Sequence, residues 1–143
     1  MIESAQASSC HCQTVRQGAR QLTQFYDRHL APSGLRASQY AVLSRLGRLR
    51  TASINGLAEA LVMDRTTLGR ALRPLQRDGL VAIGPGPDGR TRALSLTEAG
   101  AARLAVARPL WRQAQDGFEA TFGAVEADGL RAAMTRVVRA LPN

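Results

Sequence analysis

At 143 residues, 45% of them hydrophobic and 21% charged, the chain can build one packed core and is too apolar for wholesale disorder. Its formal net charge of +8 points to a polyanionic partner, and all 19 basic side chains are arginine, whose planar fork matches phosphate oxygens and the guanine edge. No apolar run reaches bilayer-spanning length, and MIESAQASS lacks the basic start and apolar centre of a secretory signal, so we expect a cytoplasmic protein with no membrane partner.

In chain order, Met1 to Ser9 read as a polar arm. From Cys12 to Leu30, Val15, Ala19, Leu22, Tyr26 and Leu30 follow a helical stripe, ended by Pro32, Ser33 and Gly34. Ser38 is expected to cap a second helix with Tyr40, Leu43, Leu46 and Leu49 on its inner face. Ser53 caps a short third helix carrying Leu57, Ala58 and Leu61. Asp64 caps a fourth, with Leu68, Leu72 and Leu75 inward, Pro74 bending it late and Gly79 as a left-handed stop. Residues 80–83 and 92–96 read as strands, joined by a tip at 84–89 whose glycines and prolines continue neither. Thr97 caps a long helix reaching Phe122, and a last helix over about 125–141 carries Leu130, Met134, Val137, Val138 and Leu141.

The pattern is mainly α with a small β-hairpin wing: a winged helix-turn-helix module at 39–96 within a single domain spanning 1–143. The first and last helices, far apart in sequence, both carry apolar faces that a small module does not need. Residues 12–31 and 98–141 are therefore expected to pair two copies and to hold two reading helices roughly 34 Å apart on DNA. Opposite the leucines of the fourth helix lie Arg65, Thr66, Thr67, Arg70, Arg73 and Arg77. Thr66, Thr67 and Arg70 suit base edges, because threonine offers a hydroxyl and a methyl while arginine bridges guanine O6 and N7. Arg65 and Arg73 suit phosphates. Gly69, on the same helix, would allow close approach of DNA or a neighbour. At the tip, Arg90 fits a narrow minor groove beside Arg92, and Asp88 is expected to orient Arg90 through a charge-assisted bond.

The runs LAEALVMDRTTLGRALRPLQRDGLV and DGRTRALSLTEAG resemble the MarR family of bacterial winged helix-turn-helix regulators, and the resemblance covers nearly the whole chain. Asp88 and Arg90 match the first and third positions of the family's Asp-Arg-Arg wing motif, with Gly89 in place of the middle arginine. Leu96, Thr97 and Gly100 match the Leu-Thr-x-x-Gly that opens the next helix. The resemblance implies a homodimer on a near-palindromic operator in double-stranded DNA, acting as a repressor relieved by a small molecule or by thiol oxidation. It also implies an effector cleft between pairing helices and module, near Arg16, Arg20, Phe25, Tyr26, Tyr40 and Trp111. Such a lining suits a small aromatic or phenolic compound.

The competing signal is oxidation at Cys10 or Cys12, although a bridge between these two would be poorly shaped. Beyond Cys10, His11 and Cys12 only His29 and scattered carboxylates remain to complete a metal site within one chain, so neither metal nor cofactor is expected. The tip lacks the Gly-Lys-Ser/Thr of a phosphate loop, neither histidine has a serine partner, and no paired carboxylates stand out. No catalytic residue is expected. A non-specific architectural DNA-binding protein is the remaining alternative, and it would need no long pairing helices.

Overall fold

The computed structural model describes residues 9–142, so all of the polar arm except Ser9 lies outside the described residues. Six helices and three strands follow in the order α1 (His11–Leu30), a 3₁₀ turn, α2 (Ala37–Leu49), β1 (Thr51–Ser53), α3 (Ile54–Leu61), α4 (Arg65–Arg77), β2 (Val81–Pro85), β3 (Arg92–Leu96), α5 (Glu98–Phe122) and α6 (Ala124–Ala140). The architecture is the expected one, mainly helical with a small wing.

Local signals set most boundaries. The Ser53 hydroxyl accepts the Gly56 N–H at 2.9 Å, Asp64 accepts that of Thr67 at 2.7 Å, and Thr97 accepts that of Gly100 at 3.0 Å. Each is a side-chain oxygen taking one of the orphan donors of a helix start. At the end of α4, Gly79 adopts φ +73°, its N–H bonds the Gln76 carbonyl and that of Leu80 bonds Leu75, which completes a left-handed stop.

Two expectations need correction. Ser38 does not cap α2. Arg36 holds the cap position, its N–H donates to the Gln39 side chain at 3.0 Å, and the Asp27 carboxylate of α1 accepts the Ala37 N–H at 2.7 Å. A carboxylate ten residues away thus does the work assigned to a local serine. Leu49, placed on the inner face, is 45% exposed at the last turn of α2.

The sheet has one strand more than the hairpin expected from sequence. β1 pairs antiparallel with β3 (Thr51 opposite Ser95), giving the order β1-β3-β2. The wing is thereby joined at its base to the segment that starts α3. β2 also runs on through Gly84 and Pro85, which pair with Ala93 and Arg92.

The core sits under this module. Leu30, Leu43, Leu46, Leu57, Leu68, Leu75 and Leu94 are fully buried, each worth about 1.5–3 kcal/mol relative to exposure. Gly100 of α5 packs so close to the chain that a Cβ there would lie 2.0 Å from the Leu80 carbonyl oxygen. The Thr97 hydroxyl also donates to the Gly79 carbonyl at 2.5 Å, and its N–H donates to Leu80 at 3.1 Å. The start of α5 is therefore bolted to the turn that ends α4. By contrast, α6 buries no residue within the chain. No described helix is long and apolar enough to cross a membrane.

Candidate nucleic-acid interface and a neighbouring cleft

The short turn Val62-Met63-Asp64 separates α3 from α4. Leu68, Leu72 and Leu75 hold one face of α4 in the core, leaving Arg65, Thr66, Thr67, Arg70, Arg73 and Arg77 exposed on the other. The Asp64 cap fixes the first turn. Hydrogen bonds from the Thr67 N–H and hydroxyl hold its carboxyl below the ordinary 3.8. The Thr67 hydroxyl proton is committed to Asp64, so this side chain presents its methyl and its remaining lone pairs outward. A Cβ on Gly69 would meet nothing within 4 Å, so packing inside the chain does not require glycine there.

In the wing, Asp88 does not form the expected bond to the Arg90 guanidinium. It accepts the Arg90 and Thr91 N–H groups at 3.0 and 3.1 Å and the Thr91 hydroxyl at 2.9 Å. These bonds depress its carboxyl below the usual range. Asp88 thus shapes the tip through the main chain and leaves Arg90 and Arg92 exposed. Folding brings both arginines to one groove with Arg65 of α4 and with Ser53 and Asn55 at the start of α3. The sequence singles out Ser53 only as a helix cap, and Asn55 not at all. A serine cap and an ordinary helical asparagine carry no sign of the arginines that fold against them.

A second concavity of about 380 Å³ lies between α1, α2 and α5, with Tyr26, Tyr40 and Trp111 in its wall. The Tyr40 and Trp111 rings stack with centroids 5.9 Å apart. The Tyr26 hydroxyl bonds Gln115, and burial, reinforced by Glu119 and partly opposed by Arg131, raises its ionisation above the ordinary value. Arg16 and Arg20 do not line this cleft, lying on the exposed part of α1, and Phe25 packs instead on His29. The cationic lining comes from Arg48, Arg108 and Arg112. A signal for them did exist: Arg108 and Arg112 flank Trp111 at i, i+4 spacing, and Arg48 follows Tyr40 by two turns. Cys10 and Cys12 are exposed at the start of α1.

A capped helix presenting an arginine-rich face, preceded by a short helix and followed by a strand pair with a basic tip, defines a winged helix-turn-helix protein. Residues 35–88 match the model of the MarR family. Among solved structures, the M. tuberculosis transcriptional regulator MosR in complex with DNA is 38% identical over 92% of this chain and 99% of that one, with a TM-score of 0.77. MosR alone is 35% identical over 94% and 98%, also at 0.77. A probable transcriptional regulator from Pseudomonas aeruginosa is 26% identical over 90% and 97%, at 0.81. A comparison with curated protein sequences found no match. The chain belongs to the MarR family of transcriptional regulators.

Proposed function

We propose that this protein is a homodimeric repressor that binds a near-palindromic operator in duplex DNA and releases it when a small aromatic acid enters the Tyr40–Trp111 cleft. The observation that carries the reading is the outward face of α4, where Arg65, Thr66, Arg70 and Arg73 stand exposed on a helix anchored by its buried leucines. Thr66, Thr67 and Arg70 meet base edges in the major groove, Arg65 and Arg73 meet phosphates, and Arg90 and Arg92 approach from the wing. Gly69 supports this: a helix-interior glycine costs about 1 kcal/mol, and here close approach of an outside molecule is what it permits. The relative MosR, solved with DNA, supports the partner class.

The dimer reading rests on apolar surface. Val15 of α1 and Val137, Val138 and Leu141 along and just past the end of α6 are 45–65% exposed, and α6 buries no residue within the chain. Pairing residues 12–31 and 98–141 with a second copy covers them and sets the 39–96 modules on half-sites centred about 10 bp apart.

The test is a shift assay comparing the DNA upstream of the protein's own gene with random duplex at fixed salt. Equal affinity for both would favour an architectural protein. In the specific complex, Arg70→Ala is expected to cost about 1–3 kcal/mol per half-site and relax preference at one base position. For release, the aromatic wall and Arg48, Arg108 and Arg112 suit a ring bearing a carboxylate. Release by a benzoate-class acid is expected to be lost in Trp111→Ala.

One observation favours a second signal. Cys10 and Cys12 are exposed where α1 begins, and α1 is a helix of the proposed pairing surface. Peroxide-induced loss of DNA binding that disappears in the Cys10→Ser, Cys12→Ser double variant would assign release to the thiols.

A further inference from the structure

We propose that Arg65, Arg90 and Arg92, with Ser53 and Asn55, form one seat for a single backbone phosphate of duplex DNA, held jointly by the reading helix and the wing. The inference rests on the duplex-DNA reading above and refines it. Three separate stretches of chain meet here: the start of α3, the first residue of α4, and the outer end of β3 with the tip. They enclose a groove of about 280 Å³ whose lining includes three arginines and no acidic residue. None of these arginines belongs to an ion pair among the described residues. Of the carboxylates nearest in sequence, Asp64 accepts the Thr67 N–H on Oδ1 and the Thr67 hydroxyl on Oδ2, and Asp88 has its Oδ1 taken by the main chain of Arg90 and Thr91 and by the Thr91 hydroxyl.

Three like charges around one small groove repel one another, and an anion relieves that repulsion. Two non-bridging phosphate oxygens offer the lone pairs that guanidinium forks take pairwise. The Ser53 hydroxyl spends one lone pair on the Gly56 N–H and keeps its proton to donate, and Asn55 brings an amide donor. The position fits duplex DNA better than free phosphate. A reading helix in the major groove and a wing in the adjacent minor groove are separated by one backbone strand, which must pass between α4 and the tip. The seat lies there. Arg65 and Arg92 thus serve the same phosphate, and the tip is registered on the strand as well as in the groove.

The salt dependence of binding tests this, because its slope counts phosphates, at about 0.9 per contact on B-form DNA, and not arginines. Arg65→Ala, Arg92→Ala and the double variant are titrated with a duplex that the wild-type protein has selected from a randomised pool. The single variants are expected to keep most of the slope, because other arginines still face the phosphate, and the double variant to lose about one contact per protomer, with losses in affinity that do not add. Methylphosphonate substitution should find one phosphate per half-site whose neutralisation weakens the wild type and leaves the double variant unchanged. Circular dichroism checks that each variant is folded. A double variant that loses about two contacts per protomer, or single variants sensitive to different phosphates, overturns the shared seat and leaves DNA binding standing. Failure of the folded wild type to bind any duplex overturns both.

Discussion

Thr97→Val isolates one side chain that does two tasks. Its hydroxyl oxygen caps α5 by accepting the Gly100 N–H at 3.0 Å, and its proton goes to the Gly79 carbonyl at 2.5 Å. Valine keeps the shape and loses both bonds. An N-cap deletion costs about 1 kcal/mol, and a lost intramolecular hydrogen bond costs about 1 kcal/mol more. The expected loss is roughly 2 kcal/mol, or roughly 6–8 °C in midpoint for a chain of this size. Thermal unfolding followed by circular dichroism measures it, at one fixed protein concentration, because a dimer's midpoint depends on concentration. Thr97→Ser, which retains the oxygen, should stay within about 0.5 kcal/mol of the wild type. Gly79 ends the turn after α4, so the valine variant should also loosen the reading helix against α5 and weaken DNA binding. A valine midpoint within a degree or so of the wild type, or a serine variant as unstable as valine, refutes this account of the α4–α5 junction.

Further outcomes are expected elsewhere. The Asp64 carboxyl titrates below its unfolded value of 3.8, so the stability it contributes is present above that pH and lost as pH falls through its lower folded value. Asp64→Asn, which caps without titrating, should flatten the acid end of a urea-midpoint profile, and an unchanged slope below pH 3.8 would contradict it. Val62, at φ 55°, ψ 49°, is a β-branched residue in a left-handed turn and 61% exposed, so little burial offsets its strain. Val62→Asn is expected to stabilise the protein by about 0.5–1 kcal/mol in chemical denaturation, and a lower midpoint would show that the turn is unstrained. Val138→Glu, placing a charge at a residue 52% exposed on α6, should shift gel filtration from dimer to monomer and abolish operator binding; elution at the wild-type volume argues against that face as the pairing surface.

Within this chain, what could be read directly was whatever is decided over three or four residues. The caps at Ser53, Asp64 and Thr97 and the stop at Gly79 are contacts between near neighbours, so the residue types announce them. The inward leucines of α4 follow from helical period alone, and they dictate which arginines face out. Tertiary structure decided whatever depends on contacts between distant segments. Asp27 displaces Ser38 as a cap for α2 because α1 ends beside it. β1 is too short to show alternation and exists because β3 offers it a ladder. The packing of α2 against α5 put Arg48, Arg108 and Arg112 in the cleft and left Arg16 and Arg20 outside. The wing's fold over α3 likewise gathered residues 53–55, 65 and 90–92 at one groove. Helical period tells which side of its own helix an arginine occupies; which other side chains it will meet depends on how the helices and the wing pack.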